Sequence, residues 1–211
     1  MAQFFSIHPD NPQQRLIRQA AQILRDGGVI AYPTDTCYAL GCHIGDKAAM
    51  ERIRSIRGID ARHHFALVCR DVAEAAIYAR IDDMHFRMLR TGASGGFAFI
   101  LQATREVPRR LLHEKRKTIG IRLPGHQVVR ALLAELGEPI LSSSLILPGE
   151  AQPMTDTDEI RSRLEHSVDL VIESGACGIV PSTVVDLTGP VPVITREGVG
   201  NPELLGVAVG A

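Results

Sequence analysis

Tryptophan is absent from the 211 residues, and Phe and Tyr bring the aromatic content to only 4%. A core must therefore be assembled from Val, Ile, Leu and Ala, a palette that suits layers of helix and sheet. Long apolar runs are missing as well. None approaches the ~18 residues that a membrane span requires, and the opening "MAQFFSIHPDNPQQR" lacks the basic start and apolar stretch of a targeting segment. A soluble, cytoplasmic protein with no membrane partner is expected. Cysteine is sparse: Cys37, Cys42, Cys69 and Cys177 show neither CxxC pairing nor the density of a disulfide framework. Reduced thiols are expected, and no metal site, because His63, His64 and Cys69 match no zinc-ligand spacing. Lysine is rare too, with Lys47, Lys115 and Lys117 the only three beside 20 Arg.

What is present is unevenly charged. The net charge is -1, yet residues 52 to 122 hold 15 Lys and Arg against 7 Asp and Glu. Arginine offers a planar fork of donors that matches phosphate and carboxylate oxygens. Codon composition accounts for an Arg excess equally well, so the excess alone selects no ligand.

Strand-like and helix-like stretches alternate. Asn11-Pro12 suits an N-cap and first turn for a helix carrying Leu16, Ile17, Ala20, Ile23 and Leu24, closed by Gly27-Gly28. "VIAYPTDT" and "YALGCHI" read as extended, Asp46 caps the helix "KAAMERIRSIR", and "HFALVC" is a buried strand. Helices near "VAEAAIYA" and "DDMHFRMLR" precede the strand "FAFILQA". A basic helical turn "VPRRLLHEKRK" leads to the strand "TIGIRLP", followed by the helix "QVVRALLAELG", the strand "ILSSS" and a helix near "TDEIRSRLEH". Three β-rich segments, "VDLVIES", "STVVDLT" and "VPVITRE", come last, the final two spaced as an antiparallel hairpin around Gly189-Pro190. The pattern predicts an α/β fold with a mixed sheet, in one domain spanning residues 1–211.

No phosphate loop of the GxxxxGK[ST] kind, no GxGxxG and no GxSxG elbow occurs. Instead, short polar stretches sit at the ends of apolar strands, where ligands gather in open α/β sheets. "PTDT" at residues 33–36 is either a side-chain-stabilised turn or a small polar ligand site. In "RIRSIRG", Arg54 and Arg57 share a helical face, solvated or anion-binding. Arg122, inside the apolar strand "TIGIRLP", needs a partner or a water-filled cleft, because an unpaired buried charge costs several kcal/mol. Ser142, Ser143 and Ser144 on one apolar strand suggest the wall of a polar cavity. Ser182-Thr183 and Arg196 are again polar at strand margins.

In order, "YPTDTCYALGC", "RSIRG", "GGFAFIL", "TIGIRLPGH", "LSSSLILPG", "PSTVVDLTG" and "ITREGVG" resemble the motifs of the YrdC/YciO family of threonylcarbamoyl-adenylate synthases and their relatives, across residues 29 to about 200. The N-terminus and "EVPRRLLHEKRKTIG" look most like the YciO branch. The resemblance implies a single-domain twisted mixed sheet with flanking helices and a large positive concave surface. It also implies a nucleotidyl transfer in tRNA modification: threonine and bicarbonate form a carbamate whose oxygen attacks the α-phosphate of ATP, with Mg²⁺ on the phosphates. Thr34, Arg122 and Ser144 match family positions near threonine and carbamate. His63 or His64 falls loosely near the same group, and His64 is taken here. Arg57, Ser182 and Arg196 match positions near the nucleotide phosphates, and Arg54 lies alongside.

Departures from the family pattern bear on activity. The family's Lys before x-Arg is Ser55, its Pro after that Arg is Gly58, a strand Thr is Ala98, and the Asn of Ser-x-Asn is Ile146. Losing a charge-assisted hydrogen bond is worth roughly 1.5–3 kcal/mol, so a weakened or altered synthase fits. An ATP or AMP-containing ligand is the expected partner. The alternative is a non-catalytic protein that binds tRNA or other structured RNA, or the ribosome, through Arg105, Arg109, Arg110, Lys115, Arg116 and Lys117.

Overall fold

A computed structural model of the protein describes residues 1–60, 63, 65–113 and 115–207. Ten strands form one sheet: β1 (Gln3–Ser6), β2 (Ile30–Tyr32), β3 (Ala39–His43), β4 (Ala66–Val68), β5 (Phe97–Gln102), β6 (Thr118–Arg122), β7 (Ile140–Ser144), β8 (Leu170–Glu173), β9 (Thr183–Asp186) and β10 (Val193–Arg196). Six α-helices accompany them: α1 (Gln14–Arg25), α2 (Lys47–Arg57), α3 (Val72–Tyr78), α4 (Asp83–Gly92), α5 (Gln127–Leu136) and α6 (Thr157–Leu164). The strand order is β1-β8-β2-β3-β7-β4-β6-β5-β9-β10. β1/β8, β8/β2, β4/β6 and β5/β9 pair in parallel, and the other neighbours are antiparallel, including the predicted β9/β10 hairpin. The sheet is therefore mixed, as the element pattern requires.

Two apolar layers hold it. On one face, Ile17 and Leu24 of α1 with Val129 and Leu133 of α5 meet Phe5, Ile30, Tyr32, Leu170 and Ile172 from the β1-β8-β2 end. On the other face, Met50 and Ile53 of α2, Leu89 of α4 and Ile160 of α6 join Leu40, Leu67, Phe99, Ile121, Leu141 and Val185. These last residues alternate along their strands with a second set: Ala66 and Val68, Ala98 and Ile100, Thr118, Gly120 and Arg122, Ser142 and Ser144, Ser182 and Val184. The period of two turns that second set to the face shared with α1 and α5, where it lines a concave cavity rather than a helix.

Helix ends follow local chemistry. Asp46 accepts from the Ala49 N–H at the start of α2, and Gly58 closes that helix at φ +61°, a conformation that costs glycine little. Asp71, Asp82 and Asp156 cap α3, α4 and α6 in the same way. The N-cap expected from Asn11-Pro12 is not formed. α1 begins at Gln14 after Gln13, which makes no side-chain cap, because residues 8–13 fold into their own turn. There His8 Nδ1 accepts from the Asp10 and Asn11 N–H groups, and Gln13 Oε1 accepts from the His8 N–H. The basic stretch after β5 is shorter in helix than its sequence suggests, with one 3₁₀ turn at Arg109–Leu111. Pro108 stands before that turn, and the chain then folds over His113 Nδ1, which accepts from the Lys115 and Arg116 N–H groups. No helix among the described residues is long and apolar enough to cross a membrane.

Candidate functional site

The cavity encloses about 280 Å³. Its walls come from strand interiors, the C-terminal end of α2 and the chain before β6, and they carry Arg57, Arg116, Arg122 and Arg196 together with Ser142, Ser143, Ser144 and Ser182. The same lining has an apolar part, with Phe65, Ile100, Ile119, Ile146 and Val184. Cations and hydroxyls thus share one basin with a surface suited to a planar or aliphatic group.

Arg57 is the last residue of α2, and its guanidinium reaches back to β7. Its Nη1 donates to Ser143 Oγ and lies 3.0 Å from His63 Nε2, and its Nε donates to the Ile146 carbonyl at 3.3 Å. Arg196, at the end of β10, is held by two donations to the Ser182 carbonyl at 3.1 and 2.8 Å. Among the described residues neither Arg57 nor Arg196 has a carboxylate partner. Burial drives both below the ordinary arginine range; the mutual repulsion of the two guanidinium groups adds to this at Arg57, and nearby Arg122 does the same at Arg196. Crowded cations without counter-ions form a site that is stabilised when an anion enters.

Arg122 ends β6 and is placed differently. Its Nη2 donates to Thr34 Oγ1 at 3.2 Å and Thr36 Oγ1 at 3.0 Å, and Asp35 Oδ2 stands 3.8 Å away. The "PTDT" stretch is indeed a side-chain-stabilised turn: Thr34 Oγ1 donates to the Cys37 carbonyl and accepts from the Thr36 and Cys37 N–H groups. The same threonine also holds Arg122, so a turn and a site wall coincide. Beneath them Tyr32, fully buried, shares a 2.6 Å hydrogen bond with Ser142 Oγ, and burial pushes its phenol up to about 12. The hydroxyls of Ser144 and Ser182 have no partner among the described residues and remain available to a ligand.

Of the residues singled out in the sequence, the structure brings Arg57, Arg122, Ser144, Ser182 and Arg196 to one cavity, with Thr34 directly behind Arg122. Arg54 is not with them. One turn earlier on α2, it pairs with Glu51 at 2.6 Å and lies over the Phe65 ring at 5.5 Å, on the far side of that wall. His64 lies outside the described residues, whereas its neighbour His63 lines the cavity. Ile146 lines it too, but Ser55 is exposed and does not. Arg105, Arg109, Arg110, Lys115, Arg116 and Lys117 are all exposed. Arg110 is spent on the Ile44 and Gly45 carbonyls, and Arg116 pairs with Asp186 at 3.2 Å while also lining the cavity.

Sequence reasoning passed over Gly120, Thr118 and His113, which complete the lining. Gly120 had a readable signal, since glycine inside a strand marks a close approach. A Cβ there would meet nothing nearer than 3.4 Å, so the bare position leaves room for a ligand rather than relieving a clash. The cysteines are free thiols, and burial pushes Cys42 up to about 12 and Cys177 up to about 11, which leaves neither a nucleophile at neutral pH.

A concave cationic cavity on the open face of a mixed ten-stranded sheet is the architecture expected from the motif order, and comparison with known proteins agrees. The family model for Sua5, YciO and YrdC proteins, described as "Telomere recombination", matches residues 22–198, and the chain belongs to this family. Over 201 residues it is 56% identical to YciO of Escherichia coli K12, covering 95% of this chain and 98% of that protein. The crystal structure of E. coli YciO superposes with a TM-score of 0.93 over 97% of this chain and 100% of that one, at 55% identity. Within the family, then, this is a YciO-type member. The threonylcarbamoyl-AMP synthase of Bacillus subtilis is a more distant relative, 26% identical over 92% of this chain and 56% of its own length. Sua5 of Pyrococcus abyssi, solved in complex with L-threonine, has a TM-score of 0.83 at 25% identity over 92% of this chain and 57% of that one.

Proposed function

We propose that the protein binds an adenine nucleotide and L-threonine together in this cavity and carries out threonylcarbamoyl-AMP synthesis, at a rate lowered by its departures from the family pattern. The observation that carries the reading is the convergence of Arg57, Arg122 and Arg196 on one basin, two of them without a carboxylate partner among the described residues. The chemistry asks for no protein nucleophile. The threonine amine and bicarbonate give a carbamate with loss of water. A carbamate oxygen then bonds to the α-phosphorus of ATP, the bond to the bridging oxygen breaks, and pyrophosphate departs. Catalysis of this kind rests on positioning two anions and on donors aimed at phosphoryl oxygens. Arg57, Arg196 and the Ser182 hydroxyl supply the donors for the phosphoryl group, and Arg122, Thr34 and Ser144 hold the amino-acid end. Among the described residues no group of three His, Cys, Asp or Glu is placed to bind a metal. Mg²⁺ would therefore arrive on the nucleotide phosphates and keep much of its water shell. Incubation with labelled threonine, bicarbonate and ATP tests the reading: threonylcarbamoyl-AMP and pyrophosphate are the expected products, and no turnover beside an active synthase control would reject it.

A second reading, binding of structured RNA, is favoured by one observation, the exposure of Arg105, Arg109, Lys115 and Lys117 on the stretch whose Arg116 lines the cavity. Phosphodiester contacts of that kind weaken steeply with salt. Filter binding across a salt series decides, and an affinity indifferent to ionic strength removes this reading.

A further inference from the structure

Arg122 differs from Arg57 and Arg196, its companions in the cavity lining, in having a carboxylate at its side. Asp35 follows β2 and is only 15% exposed, facing Arg122, itself 11% exposed, at 3.8 Å. Arg57 and Arg196 have no such partner among the described residues. Asp35 Oδ2 also accepts from the Gly125 N–H at 3.0 Å, which ties the turn after β2 to the loop between β6 and α5. That junction is tight: a Cβ on Gly125 would lie 2.4 Å from Ser94 Cβ and 3.0 Å from Asp35 Oδ1, and Ser94 itself adopts a left-handed φ of +64°. His126, next in the chain, feels the Asp35 charge and has a buried Nδ1 without a hydrogen-bond partner among the described residues.

From this arrangement we propose that Asp35 is a positioning residue, acting through Arg122, that adapts the cavity lining around Arg122 to a zwitterionic amino acid. Thr34, Thr36 and Asp35 gather around a single nitrogen of Arg122, Nη2. The Nε and Nη1 groups make no hydrogen bond among the described residues and remain for a ligand carboxylate in the cavity. With its charge offset by Asp35, Arg122 presents directional donors on a nearly balanced local field. Arg57 and Arg196 present excess positive charge, the better match for a phosphoryl group. A ligand bearing an ammonium beside its carboxylate is repelled by bare arginines and tolerated beside an Arg–Asp pair. Asp35 thereby suits Arg122 to the amino acid and leaves the phosphoryl group to Arg57 and Arg196.

This inference rests on the proposed function, and calorimetric titration of AMP and of L-threonine, each into wild type, Asp35→Asn and Asp35→Glu, separates the two. Asparagine keeps an acceptor for the Gly125 N–H and removes the charge. The expected result for Asp35→Asn is AMP affinity within about twofold of wild type and threonine affinity at least tenfold weaker, as freeing one charged contact implies. Asp35→Glu restores the charge and recovers most of the threonine affinity. Unchanged or tighter threonine binding in Asp35→Asn overturns the proposal, and so does an equal loss for both ligands, which marks a merely structural role. Should Asp35→Asn fail to fold, Asp35→Ser retains a short acceptor and carries the same prediction. A wild type that binds AMP but not threonine removes this inference and leaves nucleotide binding standing; one that binds neither removes both.

Discussion

Replacing Arg57 with methionine separates what this residue does for folding from what it does for a ligand. In the free protein its guanidinium donates to Ser143 Oγ and to the Ile146 carbonyl, but it is desolvated, has no carboxylate partner among the described residues and is repelled by Arg196. Methionine preserves much of the apolar stem and removes the charge. Ser143 keeps His63 as a partner at 3.1 Å, and water at the open cavity reaches the Ile146 carbonyl. The lost hydrogen bonds are then worth about 1–2 kcal/mol, against which relief of the buried charge and of the repulsion acts in the opposite direction. For a chain of this size the melting temperature should fall by less than about 8 °C. Nucleotide affinity should suffer more, because charge-assisted hydrogen bonds to a phosphoryl group are worth about 1.5–3 kcal/mol, or about 10- to 150-fold. Differential scanning fluorimetry and calorimetry with AMP measure the two quantities on the same preparation. A large loss of thermal stability with unchanged AMP affinity would refute the reasoning, since it would make Arg57 a structural residue.

Three further outcomes follow from the same geometry. Ile146→Asn places an amide on the cavity wall and should tighten AMP binding about fivefold, the worth of one net hydrogen bond of ~1 kcal/mol, while Ser55→Lys alone changes it less because residue 55 does not line the cavity. Tyr32→Phe removes the bond to Ser142 and should cost about 1–2 kcal/mol, read by denaturant unfolding. The phenol, pushed up to about 12 by burial, stays protonated in the folded state while the unfolded chain ionises near 10, so wild type should lose stability relative to Tyr32→Phe as pH rises between those values. His126 behaves in the opposite sense: burial lowers its pKa, the unfolded chain takes up the proton first, and stability falls as pH drops below the ordinary value of about 6.5. Unfolding of His126→Gln should lack that part of the acid sensitivity, and identical pH profiles for the two proteins would contradict it.

Much of the fold was legible because its signals are local. Asp46 as a helix cap and the apolar run that starts the strand "ILSSS" act within a few residues, and the structure places each where its chemistry directs. β1 was not legible, since four residues at the start of the chain form a strand only by pairing in parallel with β8, which follows some 165 residues later. The Asn11-Pro12 cap failed for a similar reason: a neighbouring His8 and Gln13 competed for the same backbone groups. In the site, arginines at strand and helix ends stood out because their cost of burial is high wherever they fall. Spacing put Arg54 on the same helix face as Arg57, but only the terminal residue of α2 extends past the Phe65 wall into the cavity. Asp35 is legible only as part of "PTDT", a turn or a small polar ligand site, because its contact with Arg122 depends on bringing together segments nearly ninety positions apart.

A crystal structure of the protein with L-threonine and a non-hydrolysable ATP analogue tests the central claim most directly. Phosphoryl oxygens are expected within hydrogen-bond distance of the Arg57 and Arg196 guanidinium groups, and the amino-acid carboxylate on Arg122. Nucleotide bound elsewhere on the surface, with these three arginines left to solvent, would contradict it.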